Sequence, residues 1–146
     1  MTLLIDDDRG RPLRFDSPPK RVVSLVPSDT LTVADLGCGA ALVGRTDYCE
    51  LPLSVARTVP SVGGTKNPNL EAILALEPDL VLANQEENTK SDLQTLIDRG
   101  VKVYIAFPTR VALGVAHVAK LARIFDLRGD THAKSVVSSA YAALRD

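Results

Sequence analysis

The sequence predicts an α/β fold, an open and mainly parallel sheet with helices on both faces that forms one Rossmann-like lobe. Strand-like runs of β-branched and apolar residues alternate with helix-like segments along most of the chain. Strands that alternate with helices of this length pair in parallel through right-handed crossovers, and such a sheet is covered on both faces. A chain of 146 residues with 45% hydrophobic and 24% charged residues is also typical of one globular domain.

The first segment, residues 1–19, predicts a β-hairpin followed by a lead-in to the lobe. The strand-like runs TLLID and RPLRF flank the turn-forming sequence DDDRG, and SPP then interrupts the chain. The opening MTLLIDDDRG lacks the basic and apolar regions of a signal peptide, so we expect no leader in this sequence. No later stretch approaches the roughly 20 apolar residues that a membrane span needs.

The lobe itself opens with a core strand predicted at residues 22–26. Ser28 or Asp29 is expected to cap a helix that ends at Gly37, because glycine readily adopts the positive φ of a helix end. The run ALVGRT predicts a second short strand. The segment 51–60, which contains two prolines, is expected to be irregular.

Two strand–helix pairs are predicted in the middle of the chain. A helix with Asn67 as its N-cap and Pro68 at its first position is expected to end before Pro78. The strand DLVLA comes next, and a helix over residues 88–99 then precedes VKVYIAF, the strongest strand pattern in the sequence.

Two amphipathic helices complete the predicted fold. The first follows Pro108 and has its apolar positions at Val111, Val115, Val118, Ala119 and Ala122. The last, THAKSVVSSAYAALRD, has its apolar positions at Val136, Val137, Ala140, Tyr141 and Leu144. This last stripe is expected to be exposed in a monomer or buried against a partner chain, so a homo-oligomer is one predicted arrangement.

Five loops are predicted at the carboxyl ends of the strands, where open parallel sheets bind their ligands. They are residues 27–29, 46–49, 63–69, 84–88 and 107–109. We therefore expect these loops to form one concave rim around a small-molecule ligand.

The sequence lacks the common motifs for phosphate binding and for catalysis. GGTK has its lysine and hydroxyl residue in the reverse order of a P-loop, and there is no GxSxG or HExxH. His117 is expected to be either a helix-surface or packing residue or a ligand contact, and His132 lies near the C-terminus. A net charge of −1 gives no basic surface for nucleic acid. We therefore predict neither an enzyme nor a nucleic-acid partner.

The two cysteines, Cys38 and Cys49, do not have the CxxC spacing of a zinc or redox site. Cys38 adjoins a helix-ending glycine and is expected to pack. Cys49, in TDYC just past a strand end, either packs as a small hydrophobe or touches a bound metal complex. The sequence thus predicts no resident metal ion or cofactor.

An ordered set of motifs carries a family resemblance. RVVSLVPS, VGRTDYC, VGGTKNPNLEAILALEPDLVLA and QEEN follow one another between residues 20 and 127. They resemble the N-terminal lobe of the cobalamin and iron-siderophore class of substrate-binding proteins of ABC importers, also called helical-backbone metal receptors. The resemblance implies two α/β lobes joined by a long helix. Residues 20–127 would then be the ligand-binding lobe, and residues 128–146 the start of the connecting helix.

The resemblance also implies a ligand and the residues that contact it. The ligand would be a metal-containing small molecule such as cobalamin, haem or a ferric siderophore. The expected ligand-binding residues, all in the five loops, are Pro27, Ser28, Asp47, Tyr48, Cys49, Gly63, Gly64, Thr65, Lys66, Asn84, Glu86, Glu87, Asn88 and Phe107. The glycines would let the backbone approach a bulky ligand closely, and Lys66 would meet its acidic groups.

Glu71 has two compatible interpretations. Near the first turn of a helix, its carboxylate would gain about 0.3–1 kcal/mol from the helix dipole. By resemblance, the glutamate at this position would also dock on arginines of the membrane permease. Leu31 stands where the family usually has a glutamate after Ser-x-Thr, so the contacts of the first loop are expected to differ.

Three functions of different classes are compatible with the sequence. The leading one is the first lobe of an importer receptor, located by resemblance in the periplasm or at the cell surface. The alternative is a cytosolic single-lobe binding or interaction module that completes its cleft by oligomerising. An enzyme at the sheet edge would need a nucleophile and a base within hydrogen-bond reach, and the sequence nominates none.

Overall fold

In the computed structural model, which describes residues 2–107, 111–127 and 129–145, the chain folds into a parallel sheet, a hairpin and surrounding helices. The strands are β1 (Leu3–Asp6), β2 (Pro12–Phe15), β3 (Val22–Ser24), β4 (Leu42–Gly44), β5 (Leu80–Asn84) and β6 (Val103–Ala106). The helices are α1 (Pro27–Asp35), α2 (Leu53–Thr58), α3 (Leu70–Ala75), α4 (Lys90–Asp98), α5 (Val111–Ile124) and α6 (Thr131–Arg145), with a 3₁₀ turn at Gly39–Ala41. The predicted alternation of strands and helices is confirmed.

The four strands of the sheet lie in the order β4–β3–β5–β6, and every neighbouring pair is parallel. The chain passes from β3 to β4 on one side and then returns to place β5 on the other side. In such sheets the ligand crevice lies at the carboxyl ends of the strands, where the strand order reverses. In this chain that switch point lies between β3 and β5.

Both faces of the sheet are buried, as predicted. One core joins the sheet to the hairpin, α1, α5 and α6, and includes Ile5, Leu13, Phe15, Val22, Val33, Leu36, Leu80, Leu82, Tyr104, Leu121 and Ile124. The other core joins the sheet to α3 and α4, and includes Val23, Leu25, Ile73, Val81, Leu93, Leu96, Val103 and Ile105. Because successive strand residues point to opposite faces, Val22 and Val23 are both buried but belong to different cores.

The N-terminal hairpin packs on the edge strand β6 through its turn. Its two strands pair in antiparallel register, as predicted. Asp7 is buried in the turn, where its carboxylate accepts hydrogen bonds from the backbone N–H groups of Arg9 and Arg11 at 3.0 and 2.9 Å. The N–H group of Asp8 donates to the carbonyl oxygen of Ile105 at 3.0 Å. The hairpin thereby covers a sheet edge that would otherwise be open to pairing with another chain.

Helix α1 begins differently from the prediction. Pro27 occupies its first position, where the fixed φ of proline suits a helix start, and the residue before it forms no side-chain cap hydrogen bond. The predicted capping by Ser28 or Asp29 is therefore wrong. The carboxylate of Asp29 instead points inward and bonds to His117. Gly37 follows the helix with a φ of 85°, as predicted.

Helix α3 also has a different cap from the one predicted. The side-chain oxygen of Asn69 accepts a hydrogen bond from the N–H group of Ala72 at 3.0 Å, so Asn69 is the N-cap. The prediction of Asn67 as the cap, with Pro68 at the first helical position, is wrong. Pro68 instead pairs with Gly63 in an isolated antiparallel bridge, which delays the start of the helix.

Two further element boundaries differ from the prediction, and one agrees with it. The segment 51–60, predicted to be irregular, contains the short helix α2. Helix α4 begins at Lys90, because the side chain of Asn88, the predicted first residue, connects loops instead. Glu77 adopts a left-handed φ of 49° just before Pro78, in line with the expectation that proline excludes the helical region there.

The last two helices pack against each other. Val136 and Val137 of α6 are half-buried against the core that contains α5, whereas Tyr141 is 40% exposed. The predicted apolar stripe is therefore partly covered within the chain itself. Outside the described part of the chain lie Pro108, Thr109 and the side chains of Val111, Val115 and Leu144. None of the helices described is long and apolar enough to cross a membrane.

A buried pair of side chains joins α1 to α5. His117 Nε2 lies 2.8 Å from Asp29 Oδ1, and both side chains are more than nine-tenths buried. Burial by itself lowers the pKa of His117, but the hydrogen bond and negative charge of Asp29 outweigh burial, so the pKa is raised. The charge of Asp8 adds to this increase, and that of Lys120 opposes it.

We expect Asn69→Ala to lower the free energy of unfolding by about 1 kcal/mol, because alanine cannot accept the hydrogen bond from Ala72. Asn67→Ala is a matched control, since it removes the same side chain from a residue that does not cap α3. Urea unfolding of both variants and the wild type measures the difference. A larger loss in Asn67→Ala than in Asn69→Ala would contradict this cap assignment.

The raised pKa of His117 makes part of the stability depend on pH. A histidine whose pKa is higher in the folded state stabilises that state fully below its unfolded pKa of 6.5. This contribution is lost as the pH rises through the folded pKa. We therefore expect the free energy of unfolding of the wild type, relative to His117→Gln, to fall as the pH rises from 6.5 through the higher pKa of the folded state. Chemical unfolding at a series of pH values measures this difference.

Asp29→Asn tests the cause of that pH dependence. It removes the carboxylate charge that favours the imidazolium form of His117. In the Asp29→Asn background, the His117→Gln substitution should therefore change stability by a nearly constant amount across the same pH range. A constant difference in the wild-type background would contradict the raised pKa.

Candidate functional site

The side chain of Asn88 connects three loops at the carboxyl edge of the sheet. Its buried Nδ2 group donates to the carbonyl oxygen of Leu25, at the end of β3, at 3.1 Å and to that of Thr65 at 3.0 Å. Its Oδ1 atom accepts from the N–H group of Asn84, at the end of β5, at 2.8 Å. A side-chain amide can form four hydrogen bonds, and Asn88 forms three of them within the protein. Asn88 therefore fixes the spacing of these loops.

The glycine turn that begins at Gly63 joins the loop after β4. Gly63 has a φ of 107°, and a Cβ atom there would lie 3.3 Å from backbone atoms of Asn67 and Asn69. Glycine is required by this conformation and this close approach. The carbonyl oxygen of Gly63 accepts a hydrogen bond from the N–H group of Asp47 at 2.8 Å.

The same turn is bonded to the loop after β5. Lys66 Nζ donates to the carbonyl oxygen of Glu86. In return, Thr89 Oγ1 donates to the carbonyl oxygen of Lys66 at 2.7 Å. Together with the Asn88 amide, these bonds join four loops that overlap four of the five predicted ones. We call these four loops the rim, with the bounds residues 25–29, 46–49, 63–66 and 84–89.

The thiol of Cys49 lies beneath the rim. Cys49 is 1% exposed, and its Sγ atom lies 3.1 Å from Thr30 Oγ1 and 3.3 Å from Thr46 Oγ1. These contacts attach the loop after β4 to α1. Of the two interpretations of Cys49, the structure favours packing. Cys38 is half-buried against a core, as expected.

A different set of rim side chains faces solvent. Tyr48 is 64% exposed, and its ring atom Cε2 lies 3.9 Å from the position of a Cβ atom on Gly64. Ser28 and Lys66 are exposed, and Pro27 is half-buried. These outward side chains can meet a ligand while the inward side chains keep the loops in place.

The loop after β5 carries a carboxyl group with an unpaired oxygen. Glu87 is half-buried, and its Oε2 atom has no hydrogen-bond partner among the described residues. Burial, and then the charge of Asp29, raises the pKa of Glu87, and Lys66 opposes this change. Glu86 is exposed, and its N–H group donates to Asn84 Oδ1 at 2.8 Å.

The fifth predicted loop is held by the hairpin. The N–H group of Phe107 donates to Asp8 Oδ2 at 2.7 Å, and Pro108 and Thr109 lie outside the described residues. Convergence of all five loops around one concave site therefore stays a prediction. In the part of the chain that the structure describes, no three His, Cys, Asp or Glu side chains are grouped to hold a metal ion.

Sequence reasoning missed the buried cluster beside this loop. Asp29 and His117 are 88 residues apart, so no local pattern pairs them. One feature of the sequence indicates such a pair. His117 lies in a helix rich in valine and alanine, and an imidazole buried beside these residues needs a polar partner. Asp8 and Tyr104 complete the surroundings of His117 from the hairpin and from β6.

Comparison with known sequences identifies relatives over most of the chain. The periplasmic binding protein family profile matches residues 22–145. A cobalamin-binding protein of Halobacterium salinarum is 36% identical over 136 residues, which cover 91% of this chain and 36% of that protein. A vitamin B12-binding protein of Yersinia pestis is 35% identical over 104 residues, covering 71% of this chain and 37% of that protein. The chain thus spans about a third of the length of these relatives.

A further relative is an uncharacterized ABC transporter substrate-binding lipoprotein of Bacillus subtilis. It is 37% identical over 101 residues, which cover 68% of this chain and 32% of that protein. The names of these relatives describe binding proteins, in agreement with the absence of catalytic motifs from the sequence.

Solved structures show the same fold. A periplasmic heme binding protein of Pseudomonas aeruginosa superposes with a TM-score of 0.77 at 26% identity, covering 87% of this chain and 45% of that one. The periplasmic vitamin B12 binding protein of Vibrio cholerae superposes with a TM-score of 0.79 at 23% identity, covering 88% of this chain and 49% of that one. This similarity supports the fold alone. Profile, relatives and fold agree with the resemblance found in the sequence motifs, and the chain belongs to the periplasmic binding protein family.

Proposed function

We propose that this chain is the first ligand-binding lobe of an ABC-importer substrate-binding protein, and that it binds a metal-containing small molecule at the rim. The observation that carries the proposal is the hydrogen-bonded arrangement around Asn88, which holds the loops on both sides of the switch point between β3 and β5. Open α/β sheets bind ligands at this place. The rim is therefore a preformed wall, and its exposed side chains would contact the ligand.

Cobalamin, haem and a ferric siderophore are the ligands we consider. The relatives named above include cobalamin, vitamin B12 and heme binders, which supports this class. The metal would arrive inside its organic ligand, since the described residues hold no group of metal-ligating side chains. The exposed ring of Tyr48, beside Gly64, would supply an apolar contact surface for a large planar ligand.

A single lobe supplies one wall of a cleft. The chain spans 45% of the Pseudomonas aeruginosa protein, so the opposite wall would come from a second lobe, with α6 as the start of the connecting helix. The relatives include periplasmic proteins and a lipoprotein, so we place this protein outside the cytoplasm. A cleft completed by oligomerisation is the second arrangement, since Tyr141 of α6 is 40% exposed and is apolar surface that a partner chain would cover.

Glu71 is the proposed contact with the permease. It is exposed in the first turn of α3, as predicted from the sequence, so its carboxylate is available to a partner. Interaction with the helix dipole does not compete with this role, because the dipole acts through the backbone and leaves the carboxylate oxygens exposed. Arginine side chains of a permease would then pair with it.

We expect at least one of cobalamin, haemin and a ferric siderophore to give a saturable change in absorbance with the protein. Tyr48→Ser should weaken that binding about tenfold, since losing an aromatic contact of about 1.4 kcal/mol changes Kd by this factor. Tyr141→Ser is the matched control, because Tyr141 is an exposed tyrosine on α6.

Equal loss of affinity in the two tyrosine variants would contradict the rim as the binding surface. The absence of a saturable change with every ligand would contradict the proposed function itself.

Glu71→Gln should weaken binding of the full-length protein to its permease by tenfold or more, because close interfacial charge pairs are worth about 1.5–7 kcal/mol. Ligand affinity should stay unchanged, and stability should fall by no more than about 1 kcal/mol. Binding measured at low and high salt should show a larger effect at low salt.

Asp92→Asn is the matched control for this experiment. Asp92 lies in the first turn of α4, so the Asp92→Asn substitution removes a charge from an equivalent helix position that is not proposed to contact the permease. Equal permease binding by Glu71→Gln and the wild type would contradict the docking role. Glu71 would then only stabilise the start of α3.

A further inference from the structure

Residues 46–60 form a loop whose two ends meet at Arg45. The N–H group of Arg45 donates to the carbonyl oxygen of Pro60 at 3.1 Å, and the carbonyl oxygen of Arg45 accepts from the N–H group of Val62 at 2.7 Å. We call residues 46–60 the β4 loop, because this segment leaves the sheet after β4 and contains α2. A compact surface loop whose ends lie close together frequently has a function.

The guanidinium group of Arg45 bonds to both halves of the β4 loop. Its Nε and Nη2 atoms donate to the carbonyl oxygens of Val59 and Ala56, at the C-terminal end of α2, at 2.8 and 2.7 Å. Its Nη1 atom donates to the carbonyl oxygen of Thr46, at the start of the loop, at 3.0 Å. The negative end of the helix stabilises the positive charge of the side chain. Arg45 thus joins the start of the β4 loop to its end.

The carbonyl oxygen of Thr46 also closes the turn that carries Tyr48. It accepts a second hydrogen bond from the N–H group of Cys49 at 3.1 Å, and Thr46 Oγ1 accepts from the N–H group of Tyr48 at 3.3 Å. Cys49 attaches this turn to α1 through Thr30, and Arg45 attaches it to α2. The position of Tyr48 therefore depends on the guanidinium group, which bonds to the oxygen that closes its turn.

The β4 loop presents apolar side chains to solvent. Tyr48, Leu51 and Leu53 are 64%, 57% and 56% exposed. Apolar groups in water gain free energy by burying one another, so a loop that keeps three of them apart needs a rigid base. The hydrogen bonds of Arg45 supply that base. A ring that is already held in place loses less conformational entropy when a ligand binds to it.

We propose that Arg45 is a positioning residue that anchors the β4 loop and thereby fixes the ring of Tyr48 at the rim. This inference rests on the proposed function for the contact between Tyr48 and a ligand. Its chemical basis is the planar guanidinium fork, whose N–H donors reach three carbonyl oxygens at once. A lysine ammonium carries the same charge but lacks that fork. Arg45 therefore acts through the geometry of the loop and not through its charge.

Arg45→Lys separates geometry from charge, because it keeps the charge and removes the fork. Arg21→Lys is the matched control. Arg21 also bonds through Nε and Nη2 to a carbonyl oxygen at the end of a six-residue helix, that of Leu76 after α3, at 2.9 and 2.6 Å. Arg21 directly precedes β3, so it lies at the edge of the sheet opposite the rim.

Limited digestion with a glutamate-specific protease measures the anchoring without a ligand. Glu50 is exposed in the β4 loop, and Glu71, exposed on α3, is the internal reference. In Arg45→Lys, cleavage after Glu50 should become severalfold faster and cleavage after Glu71 should not, because cleavage of a folded protein follows local opening. Arg21→Lys should leave cleavage after Glu50 unchanged. No change after Glu50 in Arg45→Lys, or an equal increase at both sites through general unfolding, would overturn the proposal.

Absorbance titration of the full-length protein with cobalamin, haemin and a ferric siderophore measures the consequence for binding. For each probe that binds the wild type, Arg45→Lys should raise Kd severalfold, and Arg21→Lys should not. In the Tyr48→Ser background, Arg45→Lys should have little further effect, because it acts through that ring. Additive losses in the double variant, or an unchanged Kd in Arg45→Lys, would show that Arg45 does not position Tyr48.

The role of Arg45 and the proposed function can fail separately. If no probe binds the wild type, the proposed function is contradicted, and the digestion alone decides whether Arg45 anchors the β4 loop. If Tyr48→Ser weakens binding of a probe while Arg45→Lys changes neither Kd nor digestion, the rim remains the binding surface and Arg45 has no positioning role.

Discussion

The buried side-chain amide of Asn88 is the contact on which the arrangement of the rim depends. It bonds the end of β3 through Leu25, the glycine turn through Thr65, and its own loop through Asn84. Removal of this amide would leave the buried carbonyl oxygen of Leu25 unpaired, at a cost of about 1–3 kcal/mol, and would also free the half-buried carbonyl oxygen of Thr65 and N–H group of Asn84. These bonds within the protein fix the spacing of the loops, which reduces the conformational entropy that binding would have to overcome.

The position of this amide follows from the topology of the sheet. After β3 the chain enters α1, which packs on one face, and after β5 it enters α4, which packs on the other. Neighbouring loops consequently diverge at the switch point and leave a crevice that no regular element fills. Asn88 spans that crevice from β5 to β3, and Cys49 fixes the adjacent loop by its contacts with Thr30 and Thr46.

The alternation of strands and helices could be predicted because it depends on local hydrophobic patterns. The starts of the helices could not be predicted, because contacts made outside the helices decide them. Asn67 and Asn69 are equally good caps by residue type, and the bridge between Gly63 and Pro68 selects the later one. Asp29 would cap a helix by its sequence position, but a partner 88 residues away takes its carboxylate. Similarly, the loops at the sheet edge could be predicted from the sequence. The side chains within them that point inward could not.

The rim separates the side chains that hold its shape from those that are free to contact a ligand. Asn88 and Cys49 are buried and bonded to neighbouring loops, whereas Tyr48 and Ser28 are exposed. Substitutions at exposed positions of this kind usually change stability by less than about 0.5 kcal/mol, whereas loss of a buried hydrogen-bonded group costs much more. The outward positions can therefore change with the ligand while the inward positions stay the same.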